Sequence, residues 1–89
     1  MRFEALIEVR TRPGMADPEG ATIEAALPAL GFGDVSGVRV GKAIRLEIDA
    51  PGEEGARQRV DRLCETFLAN PVIEDFAVTI APAPAAVPS

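Results

Sequence analysis

Cys64 is the only cysteine of the chain, and its neighbours set its chemistry. It falls on an apolar stripe of Ala56, Val60, Leu63, Cys64, Phe67 and Leu68, spaced i, i+4, i+7, i+8, i+11 and i+12, the pattern of one helix face. A thiol there reads as a small core residue; a reactive thiolate needs an electropositive, partly exposed setting. The chain has no histidine. That single absence removes Ser-His and Cys-His nucleophilic pairs, zinc-protease motifs and the usual neutral-pH base. Glu53 and Glu54 open a helix close to Asp49, and carboxylates so grouped attract divalent ions. No spacing here gathers six oxygen ligands, so these read as solvated helix-start acids. Gly37 to Ala43, with its Arg39-Val40-Gly41-Lys42 centre, has the outline of a phosphate loop. It has three residues between the glycines where such a loop has four, and Ala43 stands where a hydroxyl would hold Mg²⁺. A strand bend accounts for it better, with Arg39 and Lys42 available to acidic groups of a partner. The residues assign no catalytic, cofactor-binding or metal-ligating role to any side chain, and an independent enzyme is not expected.

At 89 residues the chain makes one small domain, 1–80, with no room for a second. A net charge of -5 opposes nucleic acid and anionic membrane surfaces, since phosphate binding needs a basic footprint. No apolar run approaches the roughly 20 residues of a membrane span, and Met1-Arg2 leads directly into an alternating segment with no signal-peptide core. The lone cysteine excludes an internal disulfide and agrees with a reducing compartment. A cytoplasmic location is expected.

The elements that must position these groups follow from periodicity and punctuation. Residues 3–9 alternate, with Phe3, Ala5, Ile7 and Val9 on one face, giving a first strand. Pro13-Gly14 marks a turn, and Asp17 followed by Pro18 is an N-cap with proline at the first helical position. The first helix carries Ile23, Ala26, Leu27 and Leu30 as its buried stripe and ends at Gly31. Pro28 inside it removes an N–H and crowds the Glu24 carbonyl, which predicts a kink or a loosened last turn. Val35 to Val40 and Ile44 to Asp49 read as second and third strands. An odd connection through Gly41, Lys42 and Ala43, or a bulge, would keep Val38, Val40, Ile44, Leu46 and Ile48 on one side. Pro51-Gly52 breaks the chain, a second helix runs to about Ala69, and Asn70-Pro71 stops it. Phe76, Val78 and Ile80 alternate as a fourth strand. From Ala81 to residue 89 the alanine- and proline-rich segment lacks large apolar groups and is expected to be an extended or disordered tail.

Strand, helix, strand, strand, helix, strand is an α+β order, the ferredoxin-like βαββαβ plan, with a four-stranded antiparallel sheet and two helices on one face. The other face would carry Glu4, Leu6, Glu8, Arg39, Arg45, Glu47 and Thr79. Two readings remain for it: a solvated face, or a polar subunit interface knitted by opposite charges. The same plan hosts RNA-recognition domains, which stack bases on sheet aromatics. Four phenylalanines, no tyrosine or tryptophan, and Arg45 and Glu47 at the central exposed positions exclude that use.

Several segments together carry a resemblance. Arg12-Pro13-Gly14-Met15 precedes Asp17-Pro18-Glu19-Gly20, then come Ala26-Leu27, Leu30-Gly31-Phe32, Val35, Val38-Arg39-Val40-Gly41-Lys42, Leu46-Glu47 and Leu68-Ala69-Asn70-Pro71-Val72-Ile73-Glu74-Asp75-Phe76. In this order and spacing, from about Phe3 to Ile80, they resemble the PurS small-subunit family of phosphoribosylformylglycinamidine synthase. Departures are Pro28, Gly55 and the Ala/Pro tail. The resemblance implies a non-catalytic subunit of the complex that converts phosphoribosylformylglycinamide, glutamine and ATP into the amidine, glutamate, ADP and phosphate in de novo purine synthesis. It implies docking of a PurQ-type glutaminase on a PurL-type synthetase, support of ammonia transfer, a homodimer or homotetramer, and ATP and Mg²⁺ held by the synthetase and none in this chain. The rival resemblance is an ACT-like module binding a small molecule, which shares the plan and the strand, Pro-Gly turn and helix opening. That family's opening alone does not explain Asn70 to Phe76.

Overall fold

The computed structural model describes residues 1–83; the part of the Ala/Pro tail from 84 to 89 lies outside the described residues. Five main elements occur in the order β1 (Arg2–Thr11), α1 (Pro18–Ala26), β2 (Gly41–Asp49), α2 (Glu53–Leu63) and β3 (Glu74–Pro82). The sheet is antiparallel with β1 central, flanked by β2 on one side and β3 on the other. Ala5 is paired with Leu46 and Ile80, and Ile7 with Ile44 and Val78. Residues directly opposite share a face, so this register collects the apolar set of all three strands on one side.

That side is the core. Phe3, Ala5, Ile7 and Val9 are buried with Ala56 and Val60 of α2 and with Cys64 just after it, while Ile44, Leu46, Ile48, Phe76 and Val78 are half-buried around them. The amphipathic pattern of α2 explains its seat, because each fully buried aliphatic side chain contributes about 1.5–3 kcal/mol over its exposed state. The helix lies across β1 and β3, and Arg57 fastens it by donating from Nη1 to the Val78 carbonyl at 2.9 Å. Its N-terminal turn carries Glu53 and Glu54 as expected. On the opposite face, Arg2 lies 3.2 Å from Asp49 and 3.6 Å from Glu47, and Arg12 lies 3.1 Å from Asp75. These pairs are exposed and each contributes at most about 1 kcal/mol.

Three expectations need correction. The sheet has three strands and not four: residues 35–40 form no strand. Gly37 takes a left-handed φ of 71°, which interrupts an extended run, and the N–H groups of Val38 and Val40 bond to carboxylates of Glu24 and Asp17 where a strand would offer carbonyls. Hence there is no hairpin through Gly41–Ala43, and β2 pairs with β1 along its whole length. Second, only α2 covers the sheet. α1 makes its main contacts with the turn that follows it, so the stripe of Ile23, Ala26, Leu27 and Leu30 is not buried: Leu30 is 68% exposed and Ile23 43%. Third, two members of the α2 stripe are exposed, Leu63 to 36% and Phe67 to 80%. The helix widens into a π turn at Cys64–Leu68, closed by the Ala69 N–H on the Cys64 carbonyl at 3.0 Å, and Phe67 lies within it.

Other local readings agree with the structure. α1 starts at Pro18 behind an Asp17 N-cap. Pro28 does loosen its end: the helix stops at Ala26, a 3-10 turn spans Pro28–Leu30, and Gly31 closes that turn at φ 92°. β3 continues through Ala81 and Pro82, two residues into the Ala/Pro segment, and the Ala83 N–H reaches the Arg2 carbonyl.

The unpacked α1 gives the chain an extended outline, 51 × 35 × 18 Å, with a radius of gyration of 17.0 Å. A compact domain of this length has about 12 Å. Its accessible surface is 6393 Å², on the order of 1,000 Å² more than the ~5,000 Å² typical of this mass.

Candidate functional site

Two neighbouring carboxylates shape the arm that carries α1. Asp17 Oδ1 accepts the Gly20 N–H at 3.1 Å, the ordinary N-cap bond, while Oδ2 accepts the Val40 N–H at 2.8 Å from 23 residues away. Two turns later Glu24 Oε1 accepts the Val38 N–H at 2.8 Å. Residues 38 and 40 present their N–H groups to the same side, so the two acids grip an extended segment as a strand would. Gly20 is buried at the centre of this clamp. A Cβ there would lie 2.7 Å from the Val38 carbonyl oxygen and would also meet the Asp17 carboxylate, so only glycine lets the two segments touch.

Arg39 completes the clamp. Its Nε is 3.9 Å from Asp17 Oδ2, and its Nη2 donates to the carbonyls of Met15 at 3.3 Å and Arg12 at 3.4 Å. The expectation that Arg39 is available to a partner's acid is therefore replaced: it organises the 12–16 turn. Lys42 stays exposed in β2 opposite Val9. The bond from Val40 first, then the one from Gly20, holds the Asp17 carboxyl below the usual carboxylate range, with a smaller contribution from the Arg39 charge and some opposition from burial. The sign follows directly. The unfolded chain binds this proton more readily, so the stabilisation is full above the ordinary carboxylate pKa and is lost as pH falls through the folded value.

The acids of the clamp are taken up by backbone N–H groups. Cys64 is fully buried; burial first, and the charges of Asp61 and Glu65 next, push its thiol up, so it stays protonated at neutral pH. Cys64→Ala is expected to lower stability by about 1 kcal/mol through a sulfur-sized cavity. Urea denaturation would measure that loss, and mixing with partner chains would show assembly unchanged. Among the described residues no group of three or more His, Cys, Asp or Glu is arranged to hold a metal ion, and Glu53, Glu54 and Asp49 do not converge into one. An open hollow of about 740 Å³ lies beside the clamp, lined in part by Glu8, Arg10, Thr11, Gly14, Arg39 and Asp75. Its acids and bases balance, and the Arg39 guanidinium is already engaged by backbone carbonyls.

What the chain does display is apolar surface. Ile23, Leu30, Phe32 and Val35 are exposed along the arm, and Phe67 and Val72 at the far end of α2 are exposed to 80% and 74%. Scattered apolar residues are normal on a surface, but two runs of large ones mark contact sites.

The family model of PurS, phosphoribosylformylglycinamidine (FGAM) synthase, matches residues 4–82. The chain belongs to the PurS family. The subunit PurS of phosphoribosylformylglycinamidine synthase from Synechocystis is 41% identical over 78 residues, 88% of this chain and 78% of that one. The crystal structure of PurS from Methanocaldococcus jannaschii superposes with a TM-score of 0.82 at 34% identity, covering 92% of this chain and 99% of that one. A chain in the structure of PurLQS from Thermotoga maritima gives a TM-score of 0.83 at 37% identity, over 91% and 99%. The PurS match spans all three strands and both helices, the 70–76 segment included, which the ACT-like alternative left unexplained. The PurS-like motifs also acquire a physical meaning. Asp17-Pro18-Glu19-Gly20 and Val38-Arg39-Val40 are the two halves of the clamp, and Asn70-Pro71-Val72 forms the turn that enters β3.

Sequence reasoning identified Asp17 only as a helix cap and gave Glu24, Gly20 and exposed Phe67 no special role. A signal existed for the first three. Two acids seven residues apart with a glycine between them lie two turns apart on one helix face. Nothing in the sequence announced the π turn.

Proposed function

We propose that this chain is the small subunit of phosphoribosylformylglycinamidine synthase in de novo purine biosynthesis, a non-catalytic component that docks a PurQ-type glutaminase on a PurL-type synthetase and supports passage of ammonia between them. The observation that carries this is the PurS match over residues 4–82, joined to the likeness to a chain of PurLQS. The chemistry agrees. A docking subunit needs surfaces, and this chain offers two apolar ones with no histidine anywhere and a buried, protonated thiol. ATP and Mg²⁺ belong, in this reading, to the synthetase, and the catalytic cysteine to the glutaminase.

The chain works in the cytoplasm as a homodimer or homotetramer. No helix among the described residues is long and apolar enough to cross a membrane. The bare stripe of α1 and the half-bare row of Ile44, Leu46 and Ile48 on β2, which α2 leaves uncovered, are apolar surfaces that a second copy can satisfy reciprocally.

Ammonium supply tests the role. Glutamine-dependent amidine formation by the partner chains is expected to require this protein, whereas synthesis from excess free ammonium largely survives its omission. External ammonium bypasses docking and transfer and leaves ATP-driven activation of the substrate unchanged. Equal loss of both rates on omission, with the synthetase still folded, would replace delivery by a part in building the synthetase active site.

A further inference from the structure

We propose that the π-turned end of α2, centred on Phe67 with Val72 beside it in sequence, is the surface by which this chain grips a partner chain of the synthase, one that presents an apolar hollow rimmed by lysine or arginine. This rests on the subunit reading above and names the surface it uses.

Three observations converge. The first is the exposure of Phe67 itself. Cys64, which opens the π turn, is fully buried and Ala69, which closes it, is buried too, yet Phe67 between them is 80% exposed. Exposing a large aromatic forgoes the gain of burying it.

The second is rigidity. Thr66 Oγ1 donates to the Arg62 carbonyl at 2.8 Å, fixing the widened turn from within. The following loop is bonded throughout: the Asn70 N–H reaches Glu74 Oε1 at 2.7 Å, the Val72 N–H reaches Asn70 Oδ1 at 3.1 Å, and the Glu74 N–H reaches the Asn70 carbonyl at 2.8 Å. The Arg12 N–H ties the loop to the sheet through the Ile73 carbonyl at 2.8 Å. Val72, 74% exposed, is thus held out on a pre-ordered turn. Little conformational freedom remains to be lost on binding, which is the condition for an anchor residue.

The third is what can cover it. In the homo-oligomer proposed above the α1 arm meets β2 of a second copy, and this end of α2 lies outside that contact. Its flanking charges are Asp61, Glu65 and Glu74 against Arg62 alone, because Arg12 is paired with Asp75. Two such patches face to face would bring like charges together on a protein already at -5. A different chain with a basic rim is favoured, and its lysines or arginines would meet the carboxylates around a hollow that takes the phenyl ring.

The test uses the whole chain and the isolated synthetase and glutaminase, titrated against each other by calorimetry. Phe67→Ser combined with Val72→Ser is expected to weaken assembly by about 30-fold or more, as for an anchor pair, with Phe67→Leu retaining most of the affinity. Melting temperature and the mass of the chain's own oligomer are expected to stay unchanged, since both side chains are exposed and apart from the arm. Wild-type affinity in the double variant would overturn the proposal. Loss of self-association in that variant would overturn it too, by assigning the patch to a second copy. If the unaltered chain binds neither partner, the subunit reading falls and takes this surface with it.

Discussion

Replacing Ile23 and Leu30 by aspartate is expected to convert the self-associated chain into a particle of 9.4 kDa without unfolding it. In the isolated chain both side chains are exposed, so two carboxylates there are hydrated and add little strain. Against the apolar row of Ile44, Leu46 and Ile48 in a second copy the same groups would be desolvated with no cation facing them, a cost of several kcal/mol. That cost weakens association by at least about 100-fold. The area supports a contact of the required size. The chain exposes on the order of 1,000 Å² beyond a compact protein of its mass, and a standard interface takes about 800 Å² from each partner. Sedimentation equilibrium at micromolar concentration checks both halves: a multiple of 9.4 kDa for the unaltered chain, and the single-chain mass with unchanged circular dichroism for Ile23→Asp/Leu30→Asp. A single-chain mass for the unaltered protein at moderate salt would remove homo-oligomerisation from the proposed function.

What the sequence disclosed and what it hid divide along one physical line. Alternation in residues 3–9 and 76–80, the Asp17-Pro18 cap, the Ala56, Val60 and Cys64 stripe and the effect of Pro28 are local properties, and the structure has them all. Residues 35–40 also alternate and look like a strand, but a strand is a pairing and needs a neighbour. Here the N–H groups of Val38 and Val40 take side-chain carboxylates of α1, and no periodicity distinguishes those partners from a backbone ladder. The stripe on α1 was legible as apolar, but not its exposure, since pattern records hydrophobicity and not whether the same chain supplies a surface to cover it. Phe67 shows the same limit within one helix. The i, i+4, i+8 row of Ala56, Val60 and Cys64 is buried, whereas the i+7 and i+11 members, Leu63 and Phe67, sit at its edge and are exposed, Phe67 within the five-residue turn. The lack of histidine, by contrast, belongs to composition alone and holds in any fold.

Gly20→Ala is expected to cost about 2–3 kcal/mol, while Gly33→Ala is expected to stay within about 0.5 kcal/mol. The two substitutions add the same atom. At Gly33 its nearest neighbour is Pro28 Cα at 3.9 Å, an ordinary contact. At Gly20 it meets the Val38 carbonyl oxygen at 2.7 Å and the Asp17 carboxylate, and both are pinned, the first by the Glu24 bond to the Val38 N–H and the second by the N–H groups of Gly20 and Val40. Neither can withdraw unless the 38–40 segment moves off α1. Once it does, Asp17 keeps its cap bond at most and loses its long-range one, so the carboxyl pKa rises towards the ordinary value. The stabilisation that the depressed pKa supplies, present above the ordinary carboxylate range and lost as pH falls through the folded value, disappears with it. Two readouts therefore move together: the midpoint of thermal unfolding at neutral pH falls by roughly 10 °C or more, and the acid limb of stability against pH becomes shallower. Gly33→Ala changes neither. A Gly20→Ala protein with a wild-type midpoint and a wild-type acid limb would show that α1 and residues 38–40 are not held by the Asp17 clamp.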